Sequence, residues 1–151
     1  MEWITRKNVK VDRVACPWLI KRFVDPDARF LFVAEEELLE SAKRGPIPFD
    51  APRLSEVKLN HRGDHCTFEA IMDDFNLTSP GLEKLALIVR AADIKGQEHV
   101  APEGAGLRAI AEGLVALGLP DEERLHHGFQ IYDALLEYAK SAKQNEKGTD
   151  R

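Results

Sequence analysis

Cysteine is nearly missing from this sequence, and long apolar runs are missing altogether. Two cysteines, Cys16 and Cys66, stand among 151 residues, without the short paired spacing of a zinc finger. A disulfide scaffold is therefore excluded as the basis of the fold. A chain of this length needs none, since it buries roughly 68–70% of its unfolded surface. No stretch approaches the roughly 20 apolar residues of a membrane helix. The opening Met1-Glu2-Trp3-Ile4-Thr5-Arg6-Lys7 lacks the apolar core of an export signal. Together these absences predict a cytoplasmic setting, with two thiols and no disulfide.

Positive charge is in short supply as well. Lys and Arg number 21 against 26 Asp and Glu, a net charge of −5. The general electrostatic footprint of a nucleic-acid binder is absent, so direct nucleic-acid binding is not expected. Gly-x-Gly-x-x-Gly, the P-loop and His-Glu-x-x-His are absent too, which sets aside the commonest dinucleotide, nucleotide and zinc-protease chemistries. Gly104-Ala105-Gly106 precedes a helical stretch, and close helix packing is the simpler reason for its glycines.

What is present reads as one domain over residues 1–139, followed by a polar tail, 140–151, expected to fray. Trp3-Ile4-Thr5 and Arg29-Phe30-Leu31-Phe32-Val33 have strand composition, and Trp18 to Val24 between them reads as a short helix. That order suits a small βαβ unit. Ala34 to Lys43 is helical by composition and is stopped by Gly45-Pro46. A loop then runs to Pro52, and Val57-Lys58-Leu59 is a candidate third strand. The second half carries three helical stripes: Leu82, Leu85, Ala86, Val89, Ala92; Leu107, Ile110, Ala111, Leu114, Val115; and Leu125, Phe129, Tyr132, Leu136, Ala139. Gly118-Leu119-Pro120 and Asp121 separate the last two. The predicted fold is mainly α with a small sheet: five to six helices around two or three short strands.

Chemistry-bearing residues fall into three groups. Pro17 suits the first position of a helix and pushes Cys16 out of helical geometry. Cys16 would then meet the positive end of a helix dipole, with Arg13 upstream and Lys21 and Arg22 downstream. Such a place suits a reactive thiolate or a bound anion; cysteine is also a common small core residue. The second group is His61-Arg62-Gly63-Asp64-His65-Cys66-Thr67-Phe68-Glu69, a turn feeding a helix. Asp64 or Cys66 caps it, and in the second case Glu69 completes a capping box. His61, His65 and Glu69 equally form a set of nitrogen and oxygen donors suited to a divalent metal ion. The third group, His126 and Asp133, lies on one edge of the last stripe, with His127 pointing away. Asp93 ends the helix before it, and His99 reads as surface.

Val11-Asp12-Arg13-Val14-Ala15-Cys16-Pro17-Trp18-Leu19-Ile20-Lys21-Arg22-Phe23, with Phe30-Leu31-Phe32-Val33, resembles the opening signature of the chromate-resistance family, the C-terminal domain of its chromate-sensing regulators. The His61–Ala70 block, Ile88-Val89-Arg90-Ala91-Ala92-Asp93, Gly104-Ala105-Gly106-Leu107 and Tyr132-Asp133-Ala134-Leu135 resemble later blocks of the same family. The resemblance runs from Trp3 to about Tyr138. It implies a bacterial stress-response protein tied to regulation of chromate efflux, with a small oxyanion such as chromate as partner. Longer members carry a DNA-binding segment ahead of this domain, whereas this chain is expected to stand alone. Related domains also occur beside sulfurtransferase-like modules, which makes such a protein, or a regulatory one, an expected partner.

Two functions follow as expectations. In the first, Arg13, Cys16 and Arg22 receive the tetrahedral dianion, and chromate oxidises the neighbouring thiol. In the second, an enzyme holds a divalent cofactor through His61, Glu69 and Asp93 or Asp133. Cys16, Cys66 and Glu69 are its catalytic candidates. A partner module offering only a surface is the residual reading.

Overall fold

The computed structural model describes residues 1–8 and 10–147, and all their side chains except those of Asp12, Arg13 and 143–147. Three strands, β1 (Glu2–Arg6), β2 (Arg29–Val33) and β3 (Ile47–Pro48), form a parallel sheet in the order β2-β1-β3. β1 pairs with β2 from Glu2↔Arg29 to Arg6↔Val33, and with β3 at Trp3↔Ile47 and Ile4↔Pro48. A central parallel strand is covered on both faces, which explains why Trp3, Ile4 and Thr5 are buried in succession with no alternation. The third strand is thus Ile47–Pro48 and not the expected Val57–Leu59. Leu59 contributes an isolated bridge to Phe49, while Val57 turns into a small cluster with Leu38 and Ala51.

Among the described residues six α-helices pack around the sheet: α1 (Asp12–Leu19), α2 (Glu35–Ala42), α3 (Thr67–Asp74), α4 (Leu82–Asp93), α5 (Glu103–Ala116) and α6 (Asp121–Lys147). α2 opens on Glu35, Glu36 and Glu37, which favour the positive end of its dipole. α5 stops where Gly118 takes φ +72° and its amide reaches the Val115 carbonyl. The backbone of α6 continues as helix to Lys147, through most of the segment expected to fray. Residues 148–151 lie outside the described residues. The large core joins Trp3 of the sheet to Trp18 and Leu19 of α1, Phe68 and Ile71 of α3, Ile88 of α4 and Tyr132 of α6. Among the described residues no helix is long and apolar enough to cross a membrane.

α1 departs most from the sequence reading. It begins at Asp12, so Pro17 lies inside the helix and Cys16 sits in mid-helix. A proline in a helix interior costs about 3 kcal/mol. Against that, Val11, Val14, Ala15, Trp18 and Leu19 follow helical spacing and are all buried. Burying each large apolar side chain contributes roughly 1.5–3 kcal/mol, so the stripe outweighs the proline. The helix then widens into a π turn, Ile20–Val24, where the Asp25 amide donates to the Ile20 carbonyl at 2.7 Å.

Candidate functional site

The N-terminus of α3 meets the C-terminal half of α4, and the seam between them buries the Glu69 carboxylate. Cys66 caps α3, with Glu69 in its third position. The Cys66 amide donates to Glu69 Oε1 at 3.0 Å and the Cys66 thiol donates to the same oxygen at 3.3 Å. Across the seam Arg90 of α4 donates from Nε to Glu69 Oε1 at 2.9 Å and from a second nitrogen to Oε2. This bidentate pair is nearly enclosed. Burial pushes the Glu69 carboxyl up, but the Arg90 hydrogen bonds, the Cys66 amide and thiol and the Arg90 charge outweigh it and hold the group below its usual range. His65 Nδ1 lies 3.6 Å from Glu69 Oε2.

Asp93 is one turn beyond Arg90, so the helix presents both to the same neighbour. His61 Nε2 lies 3.2 Å from Asp93 Oδ2 and 3.6 Å from Asp50 Oδ1. Asp50 is buried and adopts φ +51°. Aspartate tolerates that left-handed conformation better than most residues. Thr67 Oγ1 donates to Asp50 Oδ1 at 2.9 Å, Arg6 Nε donates to its carbonyl at 3.2 Å, and its own amide reaches the Leu59 carbonyl. Asp50 thereby ties β1, the loop after β3 and α3 together.

A third node joins α1 to α6. Trp18 and Arg22, four residues apart on one helix face, converge on Asp133. Trp18 Nε1 donates to Oδ1 at 2.7 Å, while Arg22 donates to both carboxylate oxygens at 3.0 and 2.9 Å and lies 5.5 Å over the Phe129 ring. The Arg22 hydrogen bonds hold the Asp133 carboxyl below its usual range. Trp18 itself is fully buried and stacks on Phe68. We expect Asp133→Ala to cost about 1–3 kcal/mol, because the indole N–H of a buried tryptophan loses its acceptor. Urea unfolding followed by tryptophan emission measures it, and an unchanged midpoint would contradict the role assigned to this carboxylate.

These contacts redistribute the residues singled out from sequence. His61 and Asp93 do meet. Glu69 pairs with Arg90, and Asp133 lies at the α1–α6 contact with Arg22 and Trp18. Among the described residues no group of three or more His, Cys, Asp and Glu is arranged to hold a metal ion. Cys16 is fully buried in the apolar cluster and sits within α1, which corrects the picture of a thiol at a helix N-terminus. Cys66 is likewise fully buried. Arg22 faces Asp133, and the side chain of Arg13 lies outside the described residues. His126 and His127 are exposed and stack edge to face on each other, and His127 lines a shallow groove with Leu114, Leu117 and Ile131.

Asp50 and Arg90 were not legible as site residues, although Arg90 precedes Asp93 by one helical turn. Lys10 and Arg108 were also missed. Both line a cleft where the segment ahead of α1 passes the end of α4 and the middle of α5; Asp93 and Glu112 complete its polar wall. Gly104 makes the α4–α5 contact close. A Cβ placed there would stand 2.5 Å from the Ala91 Cβ, so its glycine serves helix packing, as the sequence suggested.

Comparison with known proteins agrees with the motif blocks. A protein of Cupriavidus metallidurans (strain CH34) named Protein ChrB is 31% identical over 147 residues, 95% of this chain. This chain spans 42% of that relative's length. No solved structure shows a significant match. The family described as ChrB, C-terminal domain matches residues 3–139, and the chain belongs to that family.

Proposed function

We propose that this domain is the ligand-reading part of a chromate-resistance system and that it receives a small tetrahedral oxyanion in the cleft between Lys10 and Arg108. The observation that carries the proposal is the convergence of these two cations, from different segments, on one polar cleft. A tetrahedral dianion offers four acceptor oxygens. It can take hydrogen bonds from an ammonium and a guanidinium at once. Arg108 is half-exposed, and its Nε donates to Glu112 at 3.2 Å. An exposed pair of this kind is worth less than about 1 kcal/mol, so an incoming anion displaces it at small cost.

Asp93 forms part of the same wall and reaches His61, which in turn approaches Asp50. A ligand that shifts Asp93 therefore acts on the polar seam behind it. Cys16 and Cys66, both fully enclosed, keep structural roles in this reading. With a net charge of −5, the readout falls on a protein partner, regulatory or sulfurtransferase-like, and not on DNA.

Calorimetry with chromate and with sulfate tests the proposal. We expect stoichiometric binding, weakened at least about tenfold by Lys10→Ala or Arg108→Ala, the equivalent of about 1.4 kcal/mol. Arg22→Lys, at the α1–α6 contact, is expected to leave the affinity unchanged. No heat at millimolar anion, or full affinity in both cleft variants, would end this reading.

A further inference from the structure

The cleft lined by Lys10 and Arg108 has room and charge that a bare oxyanion does not use. It encloses about 240 Å³. Four oxygens around one central atom take at most the space of about four waters, roughly 120 Å³. Besides the two cations, the wall carries two carboxylates, Asp93 at the end of α4 and Glu112 on α5. Val11, Ala92 and Ala111 supply an apolar lining between them. A dianion alone in this cleft is attracted by the cations and repelled by the carboxylates. A molecule that itself bears both signs is complementary to the whole wall.

The wall is also easily rearranged. Arg108 Nε meets Glu112 at 3.2 Å across one turn of α5, and both side chains are exposed. Their Cα atoms lie about 6 Å apart along the helix axis. A ligand whose two charges are set apart by a short spacer takes Arg108 at one end and Glu112 at the other. One weak exposed pair is thereby replaced by two. We propose that the cleft takes a small organic zwitterion, with its oxyanionic head on Lys10 and Arg108 and its ammonium on Asp93 and Glu112. The hydrocarbon spacer lies over Val11, Ala92 and Ala111. This rests on the oxyanion reading above and names the ligand class of the same site. Plain sulfate then fills the anionic half alone. Aminoalkyl sulfonates and phosphonates have the required form.

Calorimetry with two matched probes, taurine and isethionate, tests the proposal. Both carry a sulfonate on the same short chain, which ends in an ammonium in the first and a hydroxyl in the second. Taurine is expected to bind about tenfold tighter, the size of effect that two ammonium–carboxylate contacts of this exposure supply. Glu112→Gln, at an exposed site, is expected to weaken taurine severalfold. The same variant is expected to tighten isethionate, because a repulsive charge leaves the wall. Lys10→Ala is expected to weaken both probes alike. Equal affinity for the two probes overturns the zwitterion and leaves the oxyanion reading standing. So does a taurine preference undiminished in Glu112→Gln, or sulfate binding with no heat from taurine. Absence of heat from sulfate, taurine and isethionate together removes the oxyanion reading and this inference with it.

Discussion

Arg90→Ala is expected to cost about 3–4 kcal/mol of folding stability at neutral pH, the loss typical of a buried ion pair deprived of one partner. Glu69 would keep its enclosed position but lose the guanidinium that donates to both its oxygens. The pH dependence separates this cause from a simple loss of packing. In the native protein the Glu69 carboxyl is held below its usual value of 4.5. A group with a lowered folded-state pKa contributes stability that is complete above the unfolded value and disappears as pH falls through the folded one. The native protein should therefore lose this contribution below about pH 4.5. In Arg90→Ala burial still raises the carboxyl while the guanidinium that lowered it is gone, so the carboxyl moves up from its native position. The stabilisation that the native pair contributes above the unfolded value is then missing, and the deficit is largest at neutral pH and narrows in acid. Urea unfolding of both proteins at pH 7 and pH 4 measures it. An equal loss at the two values would falsify the electrostatic account. Arg90→Lys keeps the charge without the two-pronged geometry and should fall between the two.

Gly104→Val carries the second largest expected effect, about 2–3 kcal/mol, the upper range for overpacking a well-filled contact. The added carbon would stand 2.5 Å from the Ala91 Cβ and 3.0 Å from the Ala91 carbonyl carbon and the Ala92 amide nitrogen. Backbone cannot rotate aside as a flexible side chain can, so α4 and α5 must separate. Asp93 and Arg108 ride on these two helices, so the cleft between them should widen and oxyanion affinity should fall in parallel. Gly106→Ala is the matched comparison. It meets open space, and in dilute protein it should gain up to about 1 kcal/mol from helix propensity. Denaturation of both variants by urea, with calorimetry on the first, decides the matter. Native-like stability of Gly104→Val would mean that the helices are not in close contact at this point.

Much of the architecture was legible because it follows from local periodicity. The stripes led by Leu82, Leu107 and Leu125 form α4, α5 and α6, and the Arg29–Val33 run pairs with Trp3-Ile4-Thr5 as expected. Gly45-Pro46 and Gly118 stop helices where their backbone preferences require it. The failures share a different origin. Pro17 signals a helix start by every local rule, yet the burial of Trp18, Leu19 and Ile20 carries the helix through it. Once α1 starts at Asp12, Cys16 lies in mid-helix and turns into the core, not at a helix tip. Ile47–Pro48 becomes a strand because β1 has an edge to fill there, a demand that two residues cannot advertise in sequence.

Residue order alone determined the helical stripes, the strand pair and the family blocks, because each depends on neighbours within a few positions along the chain. Tertiary structure alone decided which polar groups meet: Glu69 with Arg90, 21 positions away, Asp50 with Thr67, and Trp18 with Asp133, 115 positions away. Such pairings carry no periodic signature. They arise when apolar faces pack and leave specific carboxylates, donors and cations on the same seam, where burial without a partner would cost more than the contact gains.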